Sequence, residues 1–178
     1  VAGKGFGNAV HAVFEHRDLS KKLPEQIGLI TRALAENNVR VFPYTGPEQI
    51  AGLLAARLQT VLETPLSPQG PVLGGLEAAD LRAEMEFNYA LTDAGMAVLR
   101  AACAAHGEPD LVPAQSRRLA DLMNGKIDLV FRHGGRYHVL DYKSNRLGPR
   151  VSDYAPEVLQ AVMDGHHYRF QALLYVVA

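Results

Sequence analysis

Asp128, Asp141 and Lys143 are the residues whose types and spacing promise chemistry. They stand in the run GKIDLVFRHGGRYHVLDYKSNRLG, residues 125–148, with Asp141 13 positions after Asp128 and Lys143 two further on. Residues i and i+2 of a strand share a face, so Asp141 and Lys143 project together while Tyr142 points the other way. A hairpin through His133-Gly134-Gly135 can place Asp128 beside Asp141 on the same side. Two carboxylates that close repel each other unless a cation lies between them. Oxygen donors suit a hard divalent ion such as Mg²⁺, which also accepts phosphate and water oxygens. The Lys143 ammonium then has a task, because a phosphodiester under attack gathers negative charge that a nearby cation stabilises. The surrounding residues Ile127, Leu129, Val130, Val139 and Leu140 are apolar. Charges set into such strands need a reason, and the bland one is an Asp–Lys pair at the end of a surface strand.

The elements that must position these groups follow from periodicity. Gly3 to Arg17 reads as a loop running into a short amphipathic helix, with Val10, Val13 and Phe14 on one face. Pro24 starts a second helix with Ile27, Ile30 and Leu34 on its stripe and Asn37-Asn38 as its stop. Gly46-Pro47 opens a third through Glu63, carrying Ile50, Leu53, Leu54, Leu58 and Leu62. Thr64 to Gly75 holds three prolines and three glycines, which makes it a loop. Arg82 to Leu91 reads as a strand, with Ala83, Met85, Phe87 and Tyr89 alternating against Arg82, Glu84, Glu86 and Asn88. Thr92 to His106 is helical by its alanines, or a looser insertion. Met123 to Arg132 and Arg136 to Ser144 are strands joined by His133-Gly134-Gly135. Asp153 to Ala178 is helical, with a break near Gly165. The expected fold is α/β in the α+β sense: a mixed central sheet flanked by helices. Residues 1–75 form an N-terminal helical part, and residues 82–178 a sheet core with C-terminal helices, all in one domain.

Composition sets the bounds. The 178 residues are 48% hydrophobic, enough for a core, and the net charge is −1. There is thus no global basic footprint of the kind many DNA binders carry. From Ser116 to Arg150, however, eight Lys/Arg (117, 118, 126, 132, 136, 143, 146 and 150) face three Asp (121, 128 and 141), a balance of +5 against −6 elsewhere. Such a run is either a phosphate-facing surface or simply a solvated one. The single Cys103 excludes an internal disulfide and a cysteine-rich zinc site. No apolar run spans a membrane, no secretory signal opens the chain, and no Walker A motif binds ATP. A cytoplasmic piece of a larger polypeptide is expected.

Asp128 followed by Asp141-Tyr142-Lys143 resembles the D…(D/E)xK core of the PD-(D/E)XK nucleases. The wider run, with Asp141-Tyr142-Lys143-Ser144-Asn145 and the trailing Leu147-Gly148, resembles the C-terminal nuclease domain of the RecB family, the exodeoxyribonuclease V beta subunits. Three further motifs fall in that family's order. Gly7 to Glu15 is similar to its G-x-x-x-H-x-x-x-E helix, Glu84 to Phe87 to its E-x-x-F strand, and Gln171 to Tyr175 to its Q-x-x-x-Y helix. The fit is loose over residues 20–75 and 92–115, and the family domain continues beyond Tyr175.

The resemblance implies a restriction-endonuclease-like fold and a role for each matching residue. His11, Asp128 and Asp141 would hold Mg²⁺; Mn²⁺ or Ca²⁺ would substitute, Ca²⁺ as an inhibitor. Lys143 would be the catalytic lysine. Glu84 would contact the metal through water or position the nucleophile; Glu86, on the same strand face, is its rival by alternation. Gln171 and Tyr175, one helical turn apart, would organise the site and the DNA. Tyr142 and Asn145 would support packing, and Glu15 is either exposed or orients His11. The implied reaction is hydrolysis of DNA phosphodiester bonds, exonucleolytic or endonucleolytic, in double-strand break repair and recombination. The substrate would be single-stranded DNA or unwound duplex, fed by a helicase. RecC-like and RecD-like subunits and a RecA-like recombinase are the implied partners. The rivals are another nuclease of the superfamily, such as an AddA-type helicase–nuclease or a viral exonuclease, and a non-catalytic scaffold or protein-interaction module. A lone Cys103 argues against the iron–sulfur cluster common in the former. Intact Asp128, Asp141 and Lys143 argue against the latter.

Overall fold

In a computed structural model, the structure describes residues 3–39, 46–113 and 122–178. Arg117, Arg118 and Asp121 of the basic segment lie outside the described residues. In chain order the elements are α1 (Lys4–His16), α2 (Ile27–Glu36), α3 (Pro47–Glu63), β1 (Leu81–Ala90), α4 (Asp93–Ala105), β2 (Leu122–His133), β3 (Arg136–Leu140), α5 (Pro156–Gly165) and α6 (Tyr168–Val177). Short 3₁₀ turns link several of them. The architecture is α+β, with the three strands in the order β1-β2-β3. Among the described residues no helix is long and apolar enough to cross a membrane.

The chain divides into two compact units, Val1–Glu84 with Asp128–Arg146, and Met85–Ile127 with Leu147–Ala178. In the first unit α1 packs on α2 and α2 on α3. Val10, Val13 and Phe14 of α1 meet Ile30 and Leu34 of α2 in one core with Leu129 and Phe131 of β2. Val13 and Ile30 are fully buried, each contributing about 1.5–3 kcal/mol. The third helix departs from the expected stripe. Leu53 is 64% exposed, and Ala51 and Ala55 are buried instead, alongside Leu58 and Leu62. Alanines let the helix backbone come close, so the contact turns the helix toward its small residues. The second helix also starts later than expected, because Leu23–Glu25 forms a 3₁₀ turn around Pro24.

The second unit has a smaller core of Leu91, Met96, Cys103, Val112, Phe170 and Leu174. Thr92 caps α4 by accepting the Gly95 amide at 3.1 Å, so this segment is a true helix. The C-terminal helical stretch breaks after Gly165, and α6 begins beyond the left-handed His167.

The hairpin carries the chemistry-bearing residues. Gly134 and Gly135 form its two-residue loop with φ of 58° and 73°, as the tight turn requires. The register pairs Leu129 with Leu140, Val130 with Val139 and Arg132 with Tyr137. Two differences from the sequence expectation matter. First, β3 stops at Leu140 rather than Ser144. The reason is local: the Tyr142 amide donates to Asp128 Oδ2 at 2.6 Å, and its carbonyl faces His11 Nε2 at 3.0 Å. Side chains take the backbone groups that a ladder would otherwise have used. Second, the alternation of β1 slips. Glu84 has a φ of 48°, and the shielded positions run Leu81, Glu84, Phe87 and Tyr89, while Met85 is exposed. A left-handed residue inside a strand shifts the pleat by one, as in a bulge. It also explains why the motif spaces Glu84 and Phe87 by three.

Candidate metal centre

Extending the hairpin register by one places Asp128 opposite Asp141. Leu129, Phe131, Leu140 and Tyr142 belong to the core side, which leaves Asp128, Val130 and Arg132 on the other face. Helix α1 lies against this hairpin through Val10, Val13 and Phe14, and a Cβ at Gly7 would stand 2.8 Å from the Ser144 hydroxyl. Gly7 and His11 are one helical turn apart, on the side of α1 that meets this segment.

His11 Nδ1 lies 3.3 Å from Asp128 Oδ1, and its Nε2 faces the Tyr142 carbonyl. Both ring nitrogens thus meet acceptors. The hydrogen bond to Asp128 raises the His11 pKa above the ordinary imidazole value, with burial opposing and the charges of Asp128 and Asp141 assisting. The left-handed turn at Glu84 brings a second carboxylate. One donor atom each from His11, Glu84 and Asp128 lies within 4.8 Å of the others, all three residues half-buried. Asp141 is ion-paired with Lys143 just past the end of β3.

The donor chemistry fits a divalent cation. Two carboxylates and an imidazole converge, and the Tyr142 carbonyl fixes the outer ring nitrogen, which leaves Nδ1 as the ligand atom. A metal would take the Nδ1 lone pair that a proton otherwise occupies, so metal binding and protonation of His11 compete. The sequence reading expected His11, Asp128 and Asp141 around the ion. The structure brings His11 and Asp128 together with Glu84, and joins Asp141 to Lys143. Glu86 is not Glu84's equal: it is exposed and pairs with Lys126 at 3.3 Å. Glu15 is exposed, near His16. Gln171 and Tyr175 lie in the second unit, where Gln171 Nε2 donates to the Tyr175 hydroxyl at 2.6 Å and the Tyr175 ring meets the edge of Phe87. What sequence reasoning missed is Tyr142, whose backbone, rather than its ring, ties Asp128 to His11. Its ring packs on Phe14 at 4.5 Å between centroids.

A metal-competent hairpin of this kind, with its histidine helix, has a home among known proteins. Residues 2–178 match the PD-(D/E)XK nuclease superfamily, and the chain belongs to it. Within that class the sequence is similar to RecB. It is 32% identical to the RecBCD enzyme subunit RecB of Escherichia coli (strain K12) over 181 aligned positions, covering 99% of this chain and 14% of that protein. The same subunit of Haemophilus influenzae (strain ATCC 51907 / DSM 11121 / KW20 / Rd) is 33% identical, again over 99% of this chain and 14% of its own length. That of Mycobacterium tuberculosis (strain ATCC 25618 / H37Rv) is 31% identical over 99% of this chain and 18% of its own. The chain therefore spans only a small part of these relatives.

Proposed function

We propose that the chain is the metal-dependent deoxyribonuclease domain of a RecB-type helicase–nuclease, hydrolysing DNA phosphodiester bonds during break repair and recombination. The observation that carries this reading is the convergence of His11, Glu84 and Asp128 beside the hairpin that holds Asp141 and Lys143. Mg²⁺ bound by those three residues would polarise a phosphoryl oxygen and lower the pKa of the attacking water. The chain's own groups do the rest. The Tyr142 amide holds the Asp128 carboxylate in place. The Tyr142 carbonyl orients His11. Asp141 anchors the Lys143 ammonium just past the end of β3, where it neutralises charge gathering on the phosphate and orients the nucleophile for in-line attack. Gln171 and Tyr175 serve the DNA path. Residues 1–178 act as one nuclease domain, within an assembly in which a helicase feeds unwound strand, RecC-like and RecD-like subunits complete the machine, and a RecA-like recombinase is a partner.

The test is hydrolysis of linear single-stranded DNA. Cleavage is expected with Mg²⁺ or Mn²⁺, none with EDTA, and inhibition by Ca²⁺. Cleavage that persists in EDTA, or its absence under every condition, contradicts the proposal; the second result would favour the scaffold alternative.

A further inference from the structure

The open face of the hairpin does not end at the metal centre. Two cross-strand rows beyond Asp128 and Asp141 stands the pair Arg132 and Tyr137. Four strand residues separate Asp128 from Arg132, about 13 Å along the same face. Tyr137 is 79% exposed, the most exposed aromatic ring among the described residues. Beside it a cleft of about 270 Å³ crosses all three strands, lined by Arg82 of β1, Val130 and Arg132 of β2, and Tyr137 of β3. Asp80 grips Arg132 through Nε at 2.8 Å, which fixes the guanidinium while 59% of that side chain stays exposed.

An exposed phenol ring beside a cleft that holds two guanidinium groups matches one kind of ligand. The ring offers a flat surface for a nucleobase, and the arginines offer charge and hydrogen bonds for the flanking phosphates. A base in a duplex already stacks on its neighbours, so the ring can serve only a strand that has lost its partner. Charge sorts the two ends of the face. The carboxylates of Glu84, Asp128 and Asp141 repel a phosphate unless a cation is present. In the arginine row Asp80 offsets Arg132, and Arg82 leaves the row net positive without any metal.

We propose that Tyr137, with Arg82 and Arg132, forms a nucleobase-stacking subsite that holds single-stranded DNA a few nucleotides from the metal centre. This deepens the nuclease reading above and rests on it for the role of the metal centre, but the subsite binds without the metal. The subsite makes the site selective for unwound strand and sets the shortest oligonucleotide that is cut efficiently.

The experiment is photo-crosslinking of the full-length protein to a single-stranded oligothymidylate carrying 5-iododeoxyuridine, in EDTA so that nothing is hydrolysed. Mass spectrometry should place an adduct on Tyr137. Tyr137→Phe should keep an adduct at this position, and Arg82→Gln with Arg132→Gln should lower the yield at least about fivefold at subsaturating DNA. The same label in a blunt duplex should give little adduct. Crosslinks that avoid Tyr137, or equal yields from duplex and single strand, overturn the proposal, as does a ring that a protein partner covers and DNA cannot reach. Mg²⁺-dependent cleavage is scored separately. A protein that cuts DNA but never crosslinks at Tyr137 has lost only the subsite. One that crosslinks there but cuts nothing has lost only the nuclease reading.

Discussion

The two units of the chain are packed to different standards. Among the described residues the first buries sixteen apolar side chains in one core, and the second six in its core, with Ile127 buried besides. In the second unit no residue of α5 is buried, and Val158 and Leu159 are 39% and 43% exposed. The converging ligand atoms all belong to the first unit. The difference teaches where precision is needed. A metal centre must hold its donors to within a fraction of an ångström, and rigid, well-packed elements do that better than open ones. His11 sits one residue from Ala12 and two from the buried Val13, and Asp128 one residue from the buried Leu129. The core side of each element therefore fixes its chemical side.

That contrast can be broken by substitution. Asp128→Ala removes a carboxylate that both faces His11 and holds the Tyr142 amide, so cleavage should fall about a thousandfold or more, a barrier change of about 4 kcal/mol. Single-turnover kinetics with Mg²⁺ check it, and near-normal turnover would take Asp128 out of the site. Phe14→Ala should destabilise the first unit by about 3–5 kcal/mol in urea unfolding. Leu159→Ala in α5 should change stability by less than about 0.5 kcal/mol. Equal effects would mean that the contrast in packing is not real.

A finer comparison lies within β1. Glu84→Gln should weaken metal affinity or turnover about 10–100-fold, whereas Glu86→Gln should leave both near the parent. Titration calorimetry with Mn²⁺ separates them, and a matching loss in Glu86→Gln would reverse the assignment. The smallest effect concerns the turn after α1. The Ser20 hydroxyl and amide, with Lys21, hold the Asp18 pKa down to about 2. A lowered carboxylate stabilises the fold above its ordinary value of 3.8, and this contribution is lost as pH falls through about 2. Ser20→Ala should move the Asp18 midpoint upward in an NMR titration while leaving stability near neutral pH almost unchanged; an unmoved midpoint would assign the shift to the residue-20 amide and Lys21.

Much of this was legible in the sequence because its causes are local. His133-Gly134-Gly135 announced a hairpin turn, and the structure narrows it to Gly134-Gly135 and so sets which residue opposes Asp128. Val10, Val13 and Phe14 announced the buried face of α1, while the alanines of 92–106 left open a helix or a looser insertion, a choice that the Thr92 cap decides. What stayed hidden depends on partners far along the chain. The early end of β3 comes from His11, 131 positions before Tyr142, and from Asp128. The left-handed backbone at Glu84 cannot be read from a glutamate, which rarely adopts it. Only a motif spacing of three, rather than two, hinted that the pleat slips there. The burial of Ala51 and Ala55 in place of Leu53 reflects how closely two helices approach, which periodicity alone does not report.

The central claim is that His11, Glu84 and Asp128 enclose one divalent cation. Anomalous diffraction from crystals soaked in Mn²⁺ tests it most directly. The account predicts a peak about 2 Å from His11 Nδ1 and from carboxylate oxygens of Glu84 and Asp128. A peak that lies only elsewhere, or bound Mn²⁺ that leaves His11 still bridged to Asp128, would contradict it.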